Sequence, residues 1–258
     1  MKSPQDLKAF VLSGYKQFVP HVSIDCAIFG YHNKQLKLLL TDIRSVKGYC
    51  LPGGYIKRTE TLTRAAGRIV LERTGIKDLF LQQFKTFGSP GRERTPQITH
   101  QKLSKVLGFP IKKDNWLLDQ TISIGFYAIT DFSRVHPQPS LFSDFCGWFD
   151  LNKLPPLLFD HAEMVTEALH TMRLQLYHYP IGINLLPEKF TLTDIHALYQ
   201  TLLGKRLDSR NFPKKLISLG IIRKLDEKLP IGPHRSPFLY KFDPTRYARA
   251  LRDGIVLG

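Results

Sequence analysis

The run "LPGGYIKRTETLTRAAGRIVLERTGI", Leu51 to Ile76, constrains the fold more tightly than any other part of this chain. Pro52, Gly53 and Gly54 break a short extended segment and let the backbone turn closely. The pattern then predicts a helix from about Thr61 to Arg73, stopped by Gly75 just past its last turn. Side chains three and four residues apart share a helix face, so positions 69, 72 and 73 point to one place. That place receives Ile69, Glu72 and Arg73: one carboxylate beside an aliphatic side chain and a fixed cation.

Extended segments surround this helix. "VSIDCAIFGYHNKQLKLLLTDI" reads as two apolar runs parted by the turn signal His32-Asn33-Lys34, a β-hairpin. "LFLQQFKTFG", "TISIGFYAIT" and "FCGWFDL" alternate as strands do. Residues 89–119, with Pro90, Gly91, Pro96, Gly108 and Pro110, read as an insertion without sheet whose "HQKLSKVLGF" forms one short helix. Such insertions are more often functional or mobile than part of a core. A helix from His161 to about Tyr177 then carries Met164, Val165, Ala168, Leu169, Met172 and Leu176 on one face and reads as a connecting element.

Charge narrows the class of partner. Of 258 residues, 37 are Lys or Arg and 22 Asp or Glu, a formal +15 with a pI near 9.8, and such a surface attracts polyanions, most often nucleic acid. Residues 180–258 hold 14 Lys and Arg against 7 Asp and Glu, so the charge is concentrated at that end. Cys26, Cys50 and Cys146 are odd in number and lack paired spacing, which suggests a reducing cytoplasm and neither a disulfide frame nor a zinc site. The first residues, "MKSPQDLKAFVLSGYKQF", lack the apolar core of a signal peptide, and no later stretch is long and apolar enough for a membrane span. A soluble protein is expected.

In the basic region, "LTDIHALYQTLLG" places Ile195, Leu198, Tyr199 and Leu202 at helical spacing, with Thr193 or Asp194 as start signals and Gly204 as the stop. A tight turn leads to a second helix opening at Asp208 or Ser209, which presents Arg210, Asn211, Lys214 and Lys215 around a buried pair, Phe212 and Leu216. Pro213 removes one hydrogen bond early in this helix and is expected to kink it or delay its start. Strands Ile221 to Leu225 and Phe238 to Phe242 follow, joined by a loop with Lys228, His234 and Arg235. Two helices and a basic-tipped hairpin describe a winged helix, whose second helix enters the major groove of DNA.

The spacing of Gly54, Glu60, Arg68, Val70, Glu72, Gly75 and Ile76 resembles the Nudix box, with Ile69 and Arg73 where that signature carries glutamates. Glutamate at all three positions would bind Mg²⁺ or Mn²⁺ beside a substrate pyrophosphate. With two of them lost, no metal site, no cofactor and no efficient pyrophosphohydrolase activity are expected. The whole layout resembles the Nudix-related transcriptional regulators of bacteria. "FDHAEMV", "PIGINLLPEKFTLTDIHALYQTLLGK", "LDSRNFPKKL" and "LYKFD" carry that likeness beyond what a hydrolase needs.

The resemblance implies an α+β protein: a Nudix α/β/α sandwich over residues 18–158, a linking helix over 159–179 and a winged helix-turn-helix domain over 180–258. It implies a cytoplasmic homodimer that binds double-stranded operator DNA, with an affinity changed by a small effector in the Nudix cleft. In one branch that effector is ADP-ribose or a related product; in another it is a pentose such as arabinose, and "LQQFKTFGSP" leans toward the carbohydrate branch. Arg64, Arg68, Glu72, Arg73, Arg92 and Arg94 are the candidate effector ligands. Ser209, Arg210, Asn211, Lys214, Lys215, His234 and Arg235 are the candidate DNA contacts. Two competing readings remain: an active hydrolase of nucleoside diphosphate derivatives with Glu60, Glu72 and Glu93 as a rearranged metal site, and a docking protein that does not bind DNA.

Overall fold

A computed structural model describes residues 3–77, 79–92, 98–140, 142–230 and 236–255. Two compact units emerge: residues up to Gly30 together with Lys37–Leu169, and Tyr31–Leu36 together with residues from His170 onward. The architecture is mixed α+β, with the Nudix-like sheet in the first unit and the winged helix in the second.

The first unit is built on a seven-stranded sheet in which β3 (Val46–Cys50), β2 (Gln35–Ile43), β1 (Phe18–His32), β6 (Ile122–Asp131) and β5 (Leu81–Phe87) lie in that order. β4 (Gly53–Lys57) pairs with β1, and β7 (Cys146–Asp150) pairs with β2. The β1–β2 hairpin turns at Asn33 and Lys34, both with positive φ, the backbone that a two-residue hairpin loop of matching twist requires. Residues 24–31 of β1 are buried without interruption, as a strand covered on both faces must be.

Helix α2 (Leu62–Thr74) starts on the Thr61 side chain and ends at Gly75, whose φ of 73° is the left-handed conformation glycine adopts freely. Its Ala65, Ala66, Ile69 and Val70 pack on Ile24, Cys26 and Ile28 of β1, Leu39 of β2, Ile56 of β4 and Phe126 and Ala128 of β6. Ile69 is 1% exposed. The sequence placed it on the wall of a cleft with Glu72 and Arg73; it lies instead under the helix, against Gly54 and the sheet.

Residues 98–119 of the insertion pack against the first unit. Its helix α3 (His100–Leu107) and the chain after it meet α1 (Pro4–Ser13), which the sequence reading left outside the sandwich. Leu7, Phe10, Val11, Ile111 and Trp116 form a second buried cluster there, edged by Phe18, Tyr55 and Phe142. The Trp116 indole N–H and the Asn115 amide both donate to the carbonyl of Val11, fixing the insertion to α1.

Helix α4 (His161–Gln175) buries Met164, Val165, Ala168 and Met172 on one stripe. Beyond it, α5 (Leu192–Leu203), α6 (Asn211–Ser218), β8 (Ile222–Lys228) and β9 (Phe238–Phe242) form the winged helix, with an isolated antiparallel bridge from Phe190 to Tyr240 of β9. Helix α5 starts earlier than expected: Thr191 and Asp194 form a capping box, each side chain accepting the other's backbone N–H. A last helix, α7 (Pro244–Asp253), was not foreseen; its Tyr247 hydroxyl accepts the N–H groups of Gly182 and Ile183.

Because Ile69 belongs to the core, restoring the glutamate of the signature buries a carboxylate and gains no ligand. Ile69→Glu should lower unfolding stability in urea by roughly 3 kcal/mol or more, with no metal-dependent recovery of the melting temperature.

Candidate effector site and DNA-binding face

The segment after β4 folds back onto α2 through a two-pronged ion pair. Glu60 Oε1 accepts from Arg68 Nε at 2.8 Å, and Oε2 accepts from Arg68 Nη2 at 2.9 Å and from the Lys57 N–H at 3.2 Å. Arg68 Nη2 also donates to the carbonyl of Tyr55 at 2.9 Å. These bonds, those from Arg68 first, hold the Glu60 carboxyl below the usual range. The partner read from sequence, Glu72, stands 3.6 Å from Arg68 Nη1 with half its side chain in solvent, so that contact contributes at most tenths of a kcal/mol.

The other cationic candidates do not converge on one point. Arg64 is exposed one turn before Arg68 on the same helix face. Arg73 is half-buried near Cys50 and Cys146, which flank Thr41 on neighbouring strands. Burial pushes the Cys146 thiol up to about 11, and Arg73 opposes that shift. The buried Nε–H of Arg73 has no hydrogen-bond partner among the described residues, so it is a donor left open. Arg92 is engaged already: its Nε and Nη2 donate to the two carboxylate oxygens of Asp160, both at 2.7 Å, and Nη1 donates to the Thr121 carbonyl. Arg94, and the Glu93 of the hydrolase reading, lie outside the described residues.

No group of three or more His, Cys, Asp or Glu is placed to hold a metal ion among the described residues. A Nudix fold implies a divalent ion on α2, and the residues present do not fit one: position 69 is apolar and buried, position 73 is cationic, and Glu60 is committed to Arg68.

A buried polar cluster that the sequence reading missed lies beside Gly53. Ser123 Oγ donates to Asp25 Oδ2 at 2.5 Å, and Asp25 Oδ1 faces His161 Nε2 at 3.8 Å. His161 Nδ1 accepts the backbone N–H of Leu51 at 2.9 Å. Burial lowers the His161 pKa, so the ring is neutral; with Nδ1 accepting, its proton sits on Nε2, toward the Asp25 carboxylate. Gly53 and Gly54, expected in a break, open strand β4 and pair with Asp25 and Ile24 of β1; glycine is required at 53 by that carboxylate, since a Cβ there would fall 2.1 Å from Asp25 Oδ1. The available signal was Asp25 itself, one acid inside the apolar run "VSIDCAIFG".

On the second unit, Lys205, Arg206, Ser209, Arg210, Asn211, Lys214 and Lys215 are all exposed around the start of α6. The helix starts at Asn211, two or three residues beyond the expected opening at Asp208 or Ser209, as a delayed start requires, and Pro213 lies inside its first turn. It is the third residue, where no N–H has an i−4 partner to lose, and its ring is buried beside Leu216 while Phe212 is only half-buried. Asp208 Oδ1, just ahead of the helix, accepts the N–H groups of Arg210 and Asn211 at 2.9 and 2.6 Å, and these bonds lower its pKa. Helix α5 fixes the turn before it: Gln200 Oε1 accepts the Leu207 N–H at 3.0 Å, and His196 Nε2 donates to the Leu207 carbonyl at 3.1 Å. The Tyr199 ring packs on Phe212 with centroids 4.7 Å apart. Lys224 and Lys228 of β8 both lie over the Phe238 ring on the hairpin, and His234 and Arg235 lie outside the described residues.

Comparison with known proteins adds a match within the second unit. Residues 182–242 match the family model described as the NrtR DNA-binding winged helix domain. With a Nudix-like fold ahead of it, the chain has the layout of Nudix-related transcriptional regulators. It is 26% identical over 230 residues to the ADPR responsive transcriptional repressor NtrR of Acinetobacter baylyi, covering 86% of this chain and 82% of that protein. The Shewanella oneidensis NrtR, in its crystal structure with a 27mer DNA, shares the fold with a TM-score of 0.65 and 22% identity, over 88% of this chain and 95% of that one. A MutT/nudix family protein of Enterococcus faecalis matches at a TM-score of 0.60 and 17% identity, over 94% of this chain and all of the other.

The Leu207 brace sets where Ser209, Arg210 and Asn211 sit. Gln200→Leu should lower the ratio of specific to non-specific duplex affinity about tenfold while leaving the salt dependence of non-specific binding unchanged, a loss of roughly 1.4 kcal/mol in discrimination. Gln200→Glu keeps the acceptor and should retain most of that ratio.

Proposed function

We propose that this protein is an effector-responsive, DNA-binding transcriptional regulator of the cytoplasm, acting as a homodimer, whose Nudix domain binds ADP-ribose or a close relative without hydrolysing it. The observation that carries the reading is the joining of an NrtR-type winged helix with an exposed basic start of α6 to a Nudix fold that lacks its carboxylate set. The relative from Acinetobacter baylyi favours ADP-ribose over the pentose toward which the sequence leaned. No helix among the described residues is long and apolar enough to cross a membrane.

In this reading Arg64 and Arg68, one turn apart on α2, supply charge to a pyrophosphate in place of a metal ion, and Arg73, set apart from them, offers its open Nε–H to another part of the ligand. Glu60 fixes the Arg68 guanidinium, and Glu72 offers a carboxylate at the rim for sugar hydroxyls. Arg92, held by Asp160, is engaged within the fold and does not touch the ligand. Arg210 and Asn211 read bases; Lys214, Lys215 and the hairpin residues His234 and Arg235 meet phosphates. Effector binding favours one dimer arrangement over another, and operator affinity changes with it.

Duplexes selected from a randomised library by the wild-type protein provide the test. ADP-ribose should change affinity for the selected duplex by about 5- to 150-fold, the usual span of allosteric coupling. Lys215→Ala should weaken binding to every duplex and reduce the slope of log K against log salt by about 1, whereas Arg210→Ala should relax the selected sequence. Absence of salt-dependent duplex binding would leave the docking-module reading in its place.

A further inference from the structure

Two sets of contacts run from the Leu51–Ile76 segment to the first two residues around the start of α4. The shorter is direct: the Leu51 N–H, two residues before Gly53, donates to His161 Nδ1 at 2.9 Å. The longer begins at Arg68, which donates to the Tyr55 carbonyl. The Tyr55 hydroxyl lies close to the Thr121 side chain, the Thr121 carbonyl accepts from Arg92, and Arg92 grips Asp160 with both prongs.

These links are built into the interior. The Arg92 side chain is 5% exposed, its Nη2 also meets Met164 Sδ of α4 at 3.8 Å, and His161 is 4% exposed. Phe159, next to Asp160, has a φ of 57°, a backbone that a bulky non-glycine residue holds only when its surroundings enforce it. An exposed pair of contacts, Lys85 to Glu163 and Glu167, adds a third tie on the next turn.

We infer that Asp160 and His161 form a latch, and that effector binding at Gly53–Gly54, the start of β4, and at Arg68 is passed to α4 by making or breaking their bonds to Leu51 and Arg92. The inference rests on the effector reading above. Both residues are positioning residues, since neither reaches the ligand. A ligand that draws the Arg68 guanidinium or the Gly53–Gly54 backbone toward itself must strain or relieve bonds that end on two consecutive residues. A pair of linked, fully bonded sites of this kind has few intermediate arrangements.

The test compares operator affinity with and without ADP-ribose in wild type, His161→Phe, His161→Asn and Asp160→Asn, at a temperature where each is folded. Phe removes the acceptor for Leu51; Asn restores one at the Nδ1 position. ADP-ribose affinity, measured by calorimetry, should stay within about threefold in all four, since the coupling alone is altered. The effector-induced change in operator affinity should fall below about twofold in His161→Phe and Asp160→Asn and return in His161→Asn. Hydrogen exchange at the Leu51 amide should change with ADP-ribose in the wild type. Should His161→Phe fail to fold, Asp160→Asn with the Leu51 exchange measurement decides. A wild type that responds, with variants responding equally, overturns the latch; a wild type indifferent to ADP-ribose overturns the functional reading and the latch with it.

Discussion

The packing of α2 on the central strands sets the position of every charged residue in the Leu51–Ile76 segment. Ala65 and Ala66 let the helix approach the sheet closely, and Ile69 and Val70 fill the space against Ile24, Cys26, Ile28 and Phe126. With those four positions underneath, Arg64, Arg68 and Glu72 are carried along one outer face, and Glu60 is brought back to clamp Arg68. A glutamate at 69 would have to leave this core, so the apolar residue is part of the scaffold as well as a lost ligand. What the fold retains is a fixed guanidinium, a glycine-opened strand against Asp25 and an open donor on Arg73.

The two units use side-chain-to-backbone bonds for the same purpose. In the first, His161 holds the peptide of Leu51 close to the glycines that would meet a ligand. In the second, His196 and Gln200 hold the peptide of Leu207 next to the residues that would meet DNA. Backbone groups in connecting segments must find partners, and here the partners come from helices, so each functional loop is tied to a rigid element. The tie at Leu51 ends on α4, the helix that continues from the first unit toward the winged helix in the chain.

Periodicity and end signals made most of the fold legible. The hairpin at Asn33-Lys34, α2 with its glycine stop, the alternating strands and both helices of the winged helix lie close to where these patterns place them. The misses have physical causes. Helix α1 and the insertion stabilise each other through Phe10, Val11, Ile111 and Trp116, contacts between residues about a hundred apart that no local pattern reveals. Pro213 was read through its missing N–H, although in the first turn of a helix that group has no partner to lose. Arg92 was read as a free cation because its counter-charge, Asp160, comes from a distant element. Asp25, Ser123 and His161 stand far apart in sequence, and only the fold makes them neighbours.

The central claim is that this Nudix fold binds without a metal and without chemistry. Calorimetric titration of the intact protein with ADP-ribose, in EDTA and again in excess Mg²⁺, followed by chromatography of the recovered nucleotide, tests it most directly. The account predicts saturable binding of the same affinity in both conditions and ADP-ribose recovered whole. Binding that appears only with Mg²⁺, or recovery of AMP and ribose phosphate abolished by Glu72→Gln, would contradict it.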